Sequence, residues 1–376
     1  MGELASLFLK LGTIGFGGPA AHIALMREEV VGRRRWLGDQ QFLDLVSATN
    51  LIPGPNSTEL AIHIGHARAG WRGLVVAGVC FILPASLIVG ASAWAYVRFG
   101  TVPEAERLLY GVKPVVIVIV VQALWSLART SVKDAWLALL GIASAAATVS
   151  GAHELLVLAG AAAAGYGRQL VGAGSRSSSA GVVPLTFAGA AFGAAGTGLV
   201  ARASLGTLFG VFFKSGALLF GSGYVLLAFL RVDLVERLHW LTEQQLLDAI
   251  AVGQVTPGPV FTTATFIGYL LAGPSGAVVA TVAIFLPAFA FVAMTAPILP
   301  QLRRSPVAAA MLDGLNVASL ALMAVVTWRL GISAVVDPLS AAIAAGAAVA
   351  LIPFRVNSVW AIIGGAAVGL FAGGRI

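Results

Sequence analysis

The sequence predicts an all-α polytopic membrane protein made of two homologous repeats of inverted topology. Three observations predict it. Hydrophobic residues make up 59% of the 376-residue chain and charged residues only 10%, far below the roughly 25% with which a soluble globule covers its surface; the mean hydropathy is +0.93. Apolar runs close to the roughly 20 residues that a helix needs to cross the hydrocarbon core recur along the chain. The second half repeats the first at a shift of 204 residues. The same composition excludes a disordered chain, and Cys80, the one cysteine, excludes a disulfide scaffold.

In order along the chain, the candidate spans of the first half are residues 4–26, 73–97, 108–128, 135–150 and 153–168. The N-terminus MGELASLFLK lacks the basic segment of a signal peptide, so the first helix is expected to be retained. Residues 28–44 alternate charged and apolar side chains and read as an amphipathic helix on the cytoplasmic surface, with Asp44, and Asp248 in the second half, capping or bracing it. Residues 42–66 and 246–269 are apolar around a central Pro-Gly-Pro, at 53–55 and 257–259. Proline removes a backbone donor and disfavours helix at the residue before it, so each segment reads as two half-helices meeting at a re-entrant break. Such a break survives at membrane depth only where protein or a wet cavity satisfies the backbone.

The linker GRQLVGAGSRSSSAG (167–181) is polar and flexible in composition. Residues 182–200 are apolar with small-residue breaks and Pro184, and could span, lie on the interface or pack as a loop. The second half offers spans at 204–230, 276–300, 308–329, 333–352 and 357–373. The expected organisation is a repeat over 1–168, a linker over 169–203 and a repeat over 204–376, with ten spans and two re-entrant hairpins.

Matched residues include Phe8/Phe212, Lys10/Lys214, Gly12/Gly216, Trp36/Trp240, Gln41/Gln245, Asp44/Asp248 and the two Pro-Gly-Pro triplets. After a one-residue deletion the register resumes with Leu83-Pro84-Ala85 on Leu286-Pro287-Ala288, Gly111 on Gly314 and Asp134 on Asp337. Shared apolarity does not produce matched Lys, Trp, Gln and Asp, so the duplication is real. In the first half the basic residues Arg27, Arg33–Arg35, Arg68, Arg72, Arg129, Lys133, Arg168 and Arg176 fall on one side and only Arg98, Arg107 and Lys113 on the other. That orients the first side to the cytoplasm. The net charge of +7 is thus read as topology and not as a nucleic-acid surface. With five spans per half the second repeat enters upside down; its loops show no bias. Inverted repeats with broken helices are the architecture of secondary transporters, whose sites lie near the midplane at the repeat interface. ATP coupling is not expected, because none of the four lysines follows a glycine as a Walker A lysine must.

Two paired constellations carry the chemistry. Phe16-Gly17-Gly18-Pro19, followed by His22, matches Phe220-Gly221-Ser222-Gly223-Tyr224; Pro53-Gly54-Pro55-Asn56-Ser57-Thr58 matches Pro257-Gly258-Pro259-Val260-Phe261-Thr262, with Thr263 next. Helices that restart after such breaks aim their positive ends at the gap, and the hydroxyls and the amide add donors. Together these residues read as a site for a small, acceptor-rich anion, against the plainer reading that the glycines only permit close helix packing. Lys10 and Lys214 lie in apolar spans and are either substrate ligands or snorkelling side chains. Glu59, whose mate Thr263 is uncharged, either caps the new helix or carries a proton. His22 either bonds substrate or packs. His63 and His66, three apart on one helix, have no third ligand near in sequence, so neither a metal nor a cofactor is expected. No hydrolase motif is present and Cys80 alone supplies no redox pair, so the chain is not read as an enzyme.

On FGGPAAHIALMREE, WLGDQQFLDL and ATNLIPGPNSTELAIHIG in the first half, and FGSGYVLLAFL, WLTEQQLLDAIAVGQVTPGPVFTTATFIGYL and AIFLPAF in the second, the chain resembles the chromate ion transporter family in its long two-domain form. The resemblance covers nearly everything but the linker. It implies export of chromate, with sulfate as a related substrate, across the inner membrane of a prokaryotic cell, by an antiporter or related carrier with halves of opposite orientation. Departures are Gly221-Ser222-Gly223 where the family commonly has three glycines, and Leu227-Ala228 where it often has Pro-Leu. A general oxyanion carrier and an anion channel of the same architecture stay open as alternatives, as do monomer and homodimer.

Overall fold

The computed structural model describes residues 1–16, 18–49, 52–99, 103–173, 204–219, 226–295, 306–354 and 356–372. Every regular element among them is helical. The first half contributes α1 (Gly2–Ile14), α2 (Gly18–Arg27), a π-helical turn (Glu28–Arg33), α3 (Asp39–Thr49), α4 (Asn56–Phe99), α5 (Pro103–Ser131), α6 (Ala135–Val149) and α7 (Glu154–Ala173). The second contributes α8 (Leu205–Leu218), α9 (Leu226–Leu230), a π-helical turn (Arg231–Arg237), α10 (Glu243–Val255), a 3-10 turn (Val260–Thr262), α11 (Thr263–Thr295), α12 (Pro306–Ala334), α13 (Pro338–Leu351) and α14 (Ser358–Ala372).

Among the described residues, four helical stretches are long and apolar enough to cross a membrane: Asn56–Phe99, Glu106–Ser131, Val260–Thr295 and Ala309–Ala334, at matched places in the two halves. Shorter apolar helices accompany them, among them Ala135–Val149, Leu205–Leu218 and Pro338–Leu351. At 15 residues, α6 reaches about 22 Å of a hydrocarbon core about 30 Å thick. Large apolar side chains such as Leu87, Trp125, Leu139, Trp328 and Trp360 are exposed, the kind of surface that lipid covers.

Local chemistry explains the boundaries. Asp134 and Asp337, matched in sequence, have the same extended conformation and each accepts a backbone N–H of the next turn, from Leu137 and Ser340, as N-caps of α6 and α13. α4 and α11 each turn back on themselves. Gly70 has φ +59° and ψ −147°, and Gly273 φ +61° and ψ −152°, a region of backbone conformation essentially confined to glycine. The chain therefore runs from each Pro-Gly-Pro along a short arm (56–68 and 263–271), turns, and continues along a long arm. The tightness of the hairpin follows from Gly65 and Gly73, where a Cβ on either would lie 2.3 Å or less from the other's carbonyl oxygen.

Three expectations change. The spans 4–26 and 204–230 are not continuous helices. α1 stops at Ile14 and α2 starts at Gly18, which has φ +77°; α8 stops at Leu218 and α9 starts at Leu226. The amphipathic stretch 28–44 is not one helix. It is a π-helical turn, a corner at Arg35 (φ +52°) closed by the Trp36 and Leu37 N–H groups on the Val30 carbonyl, and then α3. The second half repeats this corner at His239 (φ +50°), with Trp240 and Leu241 on Leu234. Residues 182–200 lie outside the described residues.

Two bodies result. α1 lies along α4, α8 along α11, and α4 against α11, so this body holds the helix ends at Gly15 and Leu219 and both Pro-Gly-Pro triplets. In the other, α5 packs on α12, and the last two helices of each half cross over to the opposite half: α6 and α7 onto α12, α13 and α14 onto α5. The crossings are close because small residues meet. A Cβ at Gly111 would lie 2.0 Å from the Gly365 carbonyl oxygen, and one at Gly314 would lie 2.3 Å from that of Ala161.

Gly111→Leu should therefore force α5 and α14 apart, at a cost of about 1–3 kcal/mol or more. Gly160→Leu, where nothing lies within 4 Å of a new Cβ, should be neutral. Thermal unfolding of the purified protein in detergent checks this: the expected result is a lowered melting temperature for Gly111→Leu alone.

Candidate functional site

The site begins with a shortage of donors. Proline has no N–H, so a Pro-Gly-Pro triplet offers one donor, that of its glycine. In the first half the Gly54 N–H donates to the Leu219 carbonyl at 2.7 Å, and in the second the Gly258 N–H donates to the Gly15 carbonyl at 2.8 Å. Gly15 and Leu219 are matched positions, the caps where α1 and α8 stop and leave carbonyls without an in-helix partner. Each half's triplet thus closes the other half's broken helix. Both glycines have positive φ, +141° and +94°. A Cβ at Gly54 would lie 2.2 Å from Glu59 Oε1, and one at Gly258 would lie 2.7 Å from the Ala85 Cβ.

The remaining candidates divide. His22 is buried and donates from Nε2 to the Gly15 carbonyl at 2.8 Å, beside the Gly258 bond; its Nδ1 has no partner. It sits edge-on to Phe81 at 5.5 Å. Pro53, Pro55, Pro257 and Pro259 flank the two donors. Ser57 and Thr58 are buried in the first turn of α4, Asn56 begins it, and the Thr58 hydroxyl has no partner. Thr262 and Thr263 donate to the Pro259 and Val260 carbonyls of their own turn, at 2.8 Å each. Glu59 does not cap α4: it is fully buried, both carboxyl oxygens lack partners, and it lies against Gly54. Gly18 opens α2. Gly17, Gly221, Ser222, Gly223 and Tyr224 lie outside the described residues.

Lys10 and Lys214 do not reach the breaks as bare cations. Lys10 Nζ donates to Glu29 Oε1 at 2.8 Å, and Lys214 pairs with Asp233 at 2.7 Å. Both acids stand 19 residues after their lysine, in the π-helical turns. The match extends to Arg27–Asp39 against Arg231–Glu243, and to Arg33–Glu29 against Arg237–Asp233. The Lys10 ammonium, helped by Arg34 and Arg33, holds the Glu29 carboxyl below the usual carboxylate range against the opposing effect of burial. These acids were missed in the sequence, although Glu29/Asp233 lie on the same 204-residue shift as the lysines.

The second half's polar segment is also tied to the outer body. Asp248 accepts from the Tyr96 hydroxyl at 2.8 Å and pairs with Lys113 at 3.0 Å; Arg237 pairs with Glu154 and Arg329 with Glu236. Two cavities lie here, one of about 310 Å³ beside Tyr96, Lys113 and Asp248 and one of about 200 Å³ beside Glu154, Arg237 and Arg329. Neither is lined by a residue of the breaks. His63 faces the interior, 2% exposed, whereas His66 stacks edge-on to Trp71 at 5.1 Å; no group of three metal-ligating side chains occurs among the described residues.

A family model described as "Chromate transporter" matches residues 2–166 and 206–370. The chain is 35% identical over 378 residues to "Chromate transport protein" of Cupriavidus metallidurans, covering 98% of this chain and 92% of that one. It is 33% identical to "Probable chromate transport protein" of Synechococcus elongatus (84% and 81% covered) and 35% identical to "Chromate transport protein" of Pseudomonas aeruginosa (77% and 71%). No solved structure matches.

If Lys10 and Glu29 form a brace, Lys10→Met and Glu29→Gln should each lower the melting temperature and the double substitution should cost no more than the worse single one. The coupling should be about 1 kcal/mol, because the lysine is half exposed. The Glu29 carboxyl is held low in the folded state, so its contribution is complete above its ordinary value of 4.5 and is lost as the pH falls below it. Melting curves across that range should show wild type losing more stability than Glu29→Gln.

Proposed function

The chain belongs to the chromate transporter family, and on that premise we propose that it is a secondary transporter exporting chromate from the cytoplasm. In this reading the two halves are repeats of opposite orientation, 1–168 and 204–376 joined by 169–203, and the oxyanion crosses between them by alternating access. The observation that carries it is the reciprocal pair of backbone bonds, Gly54 to Leu219 and Gly258 to Gly15. Opening a path between the halves means breaking one of these bonds, which frees an N–H and a carbonyl where the anion passes.

Chromate is a tetrahedral dianion rich in acceptors. The donors offered to it are the N-terminal N–H groups of α2 and of the short arms of α4 and α11, with the Ser57 and Thr58 hydroxyls, Asn56 and, by sequence, Gly221–Tyr224. Helix N-termini and hydroxyls suit such a ligand without a side-chain cation. Lys10 and Lys214 then act by holding the π-helical turns that position α1, α2, α8 and α9, and Glu59 is the proton-coupling residue. With a cytoplasm that is electrically negative, export of a dianion is favoured by about 2.3 kcal/mol per charge per 100 mV. The protein is placed in the inner membrane of a prokaryotic cell, without enzymatic chemistry of its own.

Uptake of radiolabelled chromate and sulfate into everted membrane vesicles tests this. Saturable chromate uptake above empty vesicles, poorly competed by sulfate, is the expected result. Sulfate uptake alone would reassign the substrate to a general oxyanion. Currents far above carrier turnover, with no exchange, would replace the carrier by a channel.

A further inference from the structure

By sequence, residues 15–18, 50–58, 219–225 and 255–262, where the four helices break, carry no charged side chain; Glu59 follows the second of these stretches directly. It is fully buried, neither carboxyl oxygen has a partner, and the carboxyl lies against Gly54, whose N–H makes one of the two bonds between the halves. One helical turn on, His63 is buried with Nε2 also lacking a partner. The second half has Thr263, whose hydroxyl is bonded within its own turn, and Phe266, in the register of Gly65 and Gly268. The acidic feature therefore stands on one side only of an otherwise matched arrangement.

Most charges on the neighbouring elements are already engaged. Of the elements packed against α4, α1 has Lys10 paired with Glu29, α2 has Arg27 paired with Asp39, and α10 has Asp248 paired with Lys113 and Glu243 with Arg231. α11 carries no charge and one titratable group, Tyr269. The remaining titratable groups on these elements are Glu3, His22 on the Gly15 carbonyl, Asp44 accepting from Gln40, and His66, Arg68, Arg72, Cys80, Tyr96 and Arg98 along α4 itself. A dianion entering the breaks thus meets one acid, while Lys10, Arg27, Lys113 and Arg231 on or beside these elements are already paired with carboxylates. Two like charges cannot share a low-dielectric site at modest cost, whereas a protonated carboxyl donates a hydrogen bond to an anion oxygen.

We infer that the site takes up one proton with each oxyanion: the anion binds when Glu59 carries its proton, and proton and anion cross together as one net negative charge. This rests on the oxyanion-transport reading above. Linkage makes it reciprocal: the anion favours the proton on Glu59 as much as the proton favours the anion. It also gives a role to the asymmetry, since one acid per pair of repeats sets one proton per anion.

Equilibrium dialysis of radiolabelled chromate against the purified full-length protein in lipid nanodiscs tests the inference, over the alkaline range in which chromate stays a dianion. Wild-type affinity should fall as the pH rises, approaching about tenfold per pH unit once the free carboxyl is ionised, and a pH indicator in weakly buffered solution should report proton uptake that approaches one per chromate bound over the same range. Glu59→Gln, which keeps a donor but does not titrate, should bind with no pH slope. The inference is overturned if wild type takes up no proton on binding, if the slope survives in Glu59→Gln, or if His63→Phe or His22→Gln removes it, which puts the proton on a histidine. The indicator measurement decides even if Glu59→Gln does not fold. Absence of chromate binding by wild type at every pH would sink the oxyanion reading itself, and this inference with it.

Discussion

A Pro-Gly-Pro triplet has one backbone donor, and in this protein each of the two available donors is given to the other half of the chain. The rest of the architecture answers to that constraint. An apolar medium offers no water to satisfy a helix that stops midway, so the carbonyls of Gly15 and Leu219 need a partner from protein. Each receives a backbone N–H from the opposite repeat, and the Gly15 carbonyl also accepts from His22 of its own half, so each break is closed in part across the repeats. The two halves are needed together at the one place where the backbone is least regular.

The surrounding structure fixes the geometry of those two bonds. The ion pairs of Lys10 with Glu29 and of Lys214 with Asp233 tie α1 and α8, about one turn before each stops, to the π-helical turns that follow each break. The Gly70 and Gly273 turns fold a short arm against a long one, so that the triplets are carried on hairpins. Outside them, the exchange of α6 and α7 for α13 and α14 across α5 and α12 interlocks the halves. Among the described residues the pattern separates a body that contains the breaks at Gly15, Leu219 and the two triplets from a body of unbroken helices, joined on one side by ion pairs such as Arg237–Glu154 and Arg329–Glu236. In the proposed transport cycle, motion of one body against the other exposes the breaks to either side.

Much of this was legible in the sequence because the duplication doubles every signal. Matched Asp134 and Asp337 became matched N-caps, the matched triplets became matched breaks, and most helix boundaries followed the apolar runs. What was not legible has a physical reason in each case. The bonds of Gly54 and Gly258 end on carbonyls, and a carbonyl leaves no mark on residue identity. The π-helical turns and the corners at Arg35 and His239 depend on a backbone conformation that neither residue type advertises, so residues 28–44 read as one helix. The partners of the lysines were within reach, since Glu29 and Asp233 share the shift, but Asp for Glu is a similarity and not an identity. Glu59 was singled out as an unmatched acid, and its burial without a hydrogen bond removed capping from its two readings.

Replacing the amide nitrogen of Gly54 by an ester oxygen, through incorporation of glycolic acid at that position, removes the single donor of the first triplet and leaves every side chain in place. The same change at Gly160 serves as the control. If the reciprocal backbone bonds hold the two halves at their breaks, the Gly54 ester should lower the melting temperature and impair chromate uptake by everted vesicles, whereas the control, which loses one in-helix bond of α7, should leave uptake intact. A Gly54 ester with wild-type stability and wild-type uptake would contradict the account at its centre.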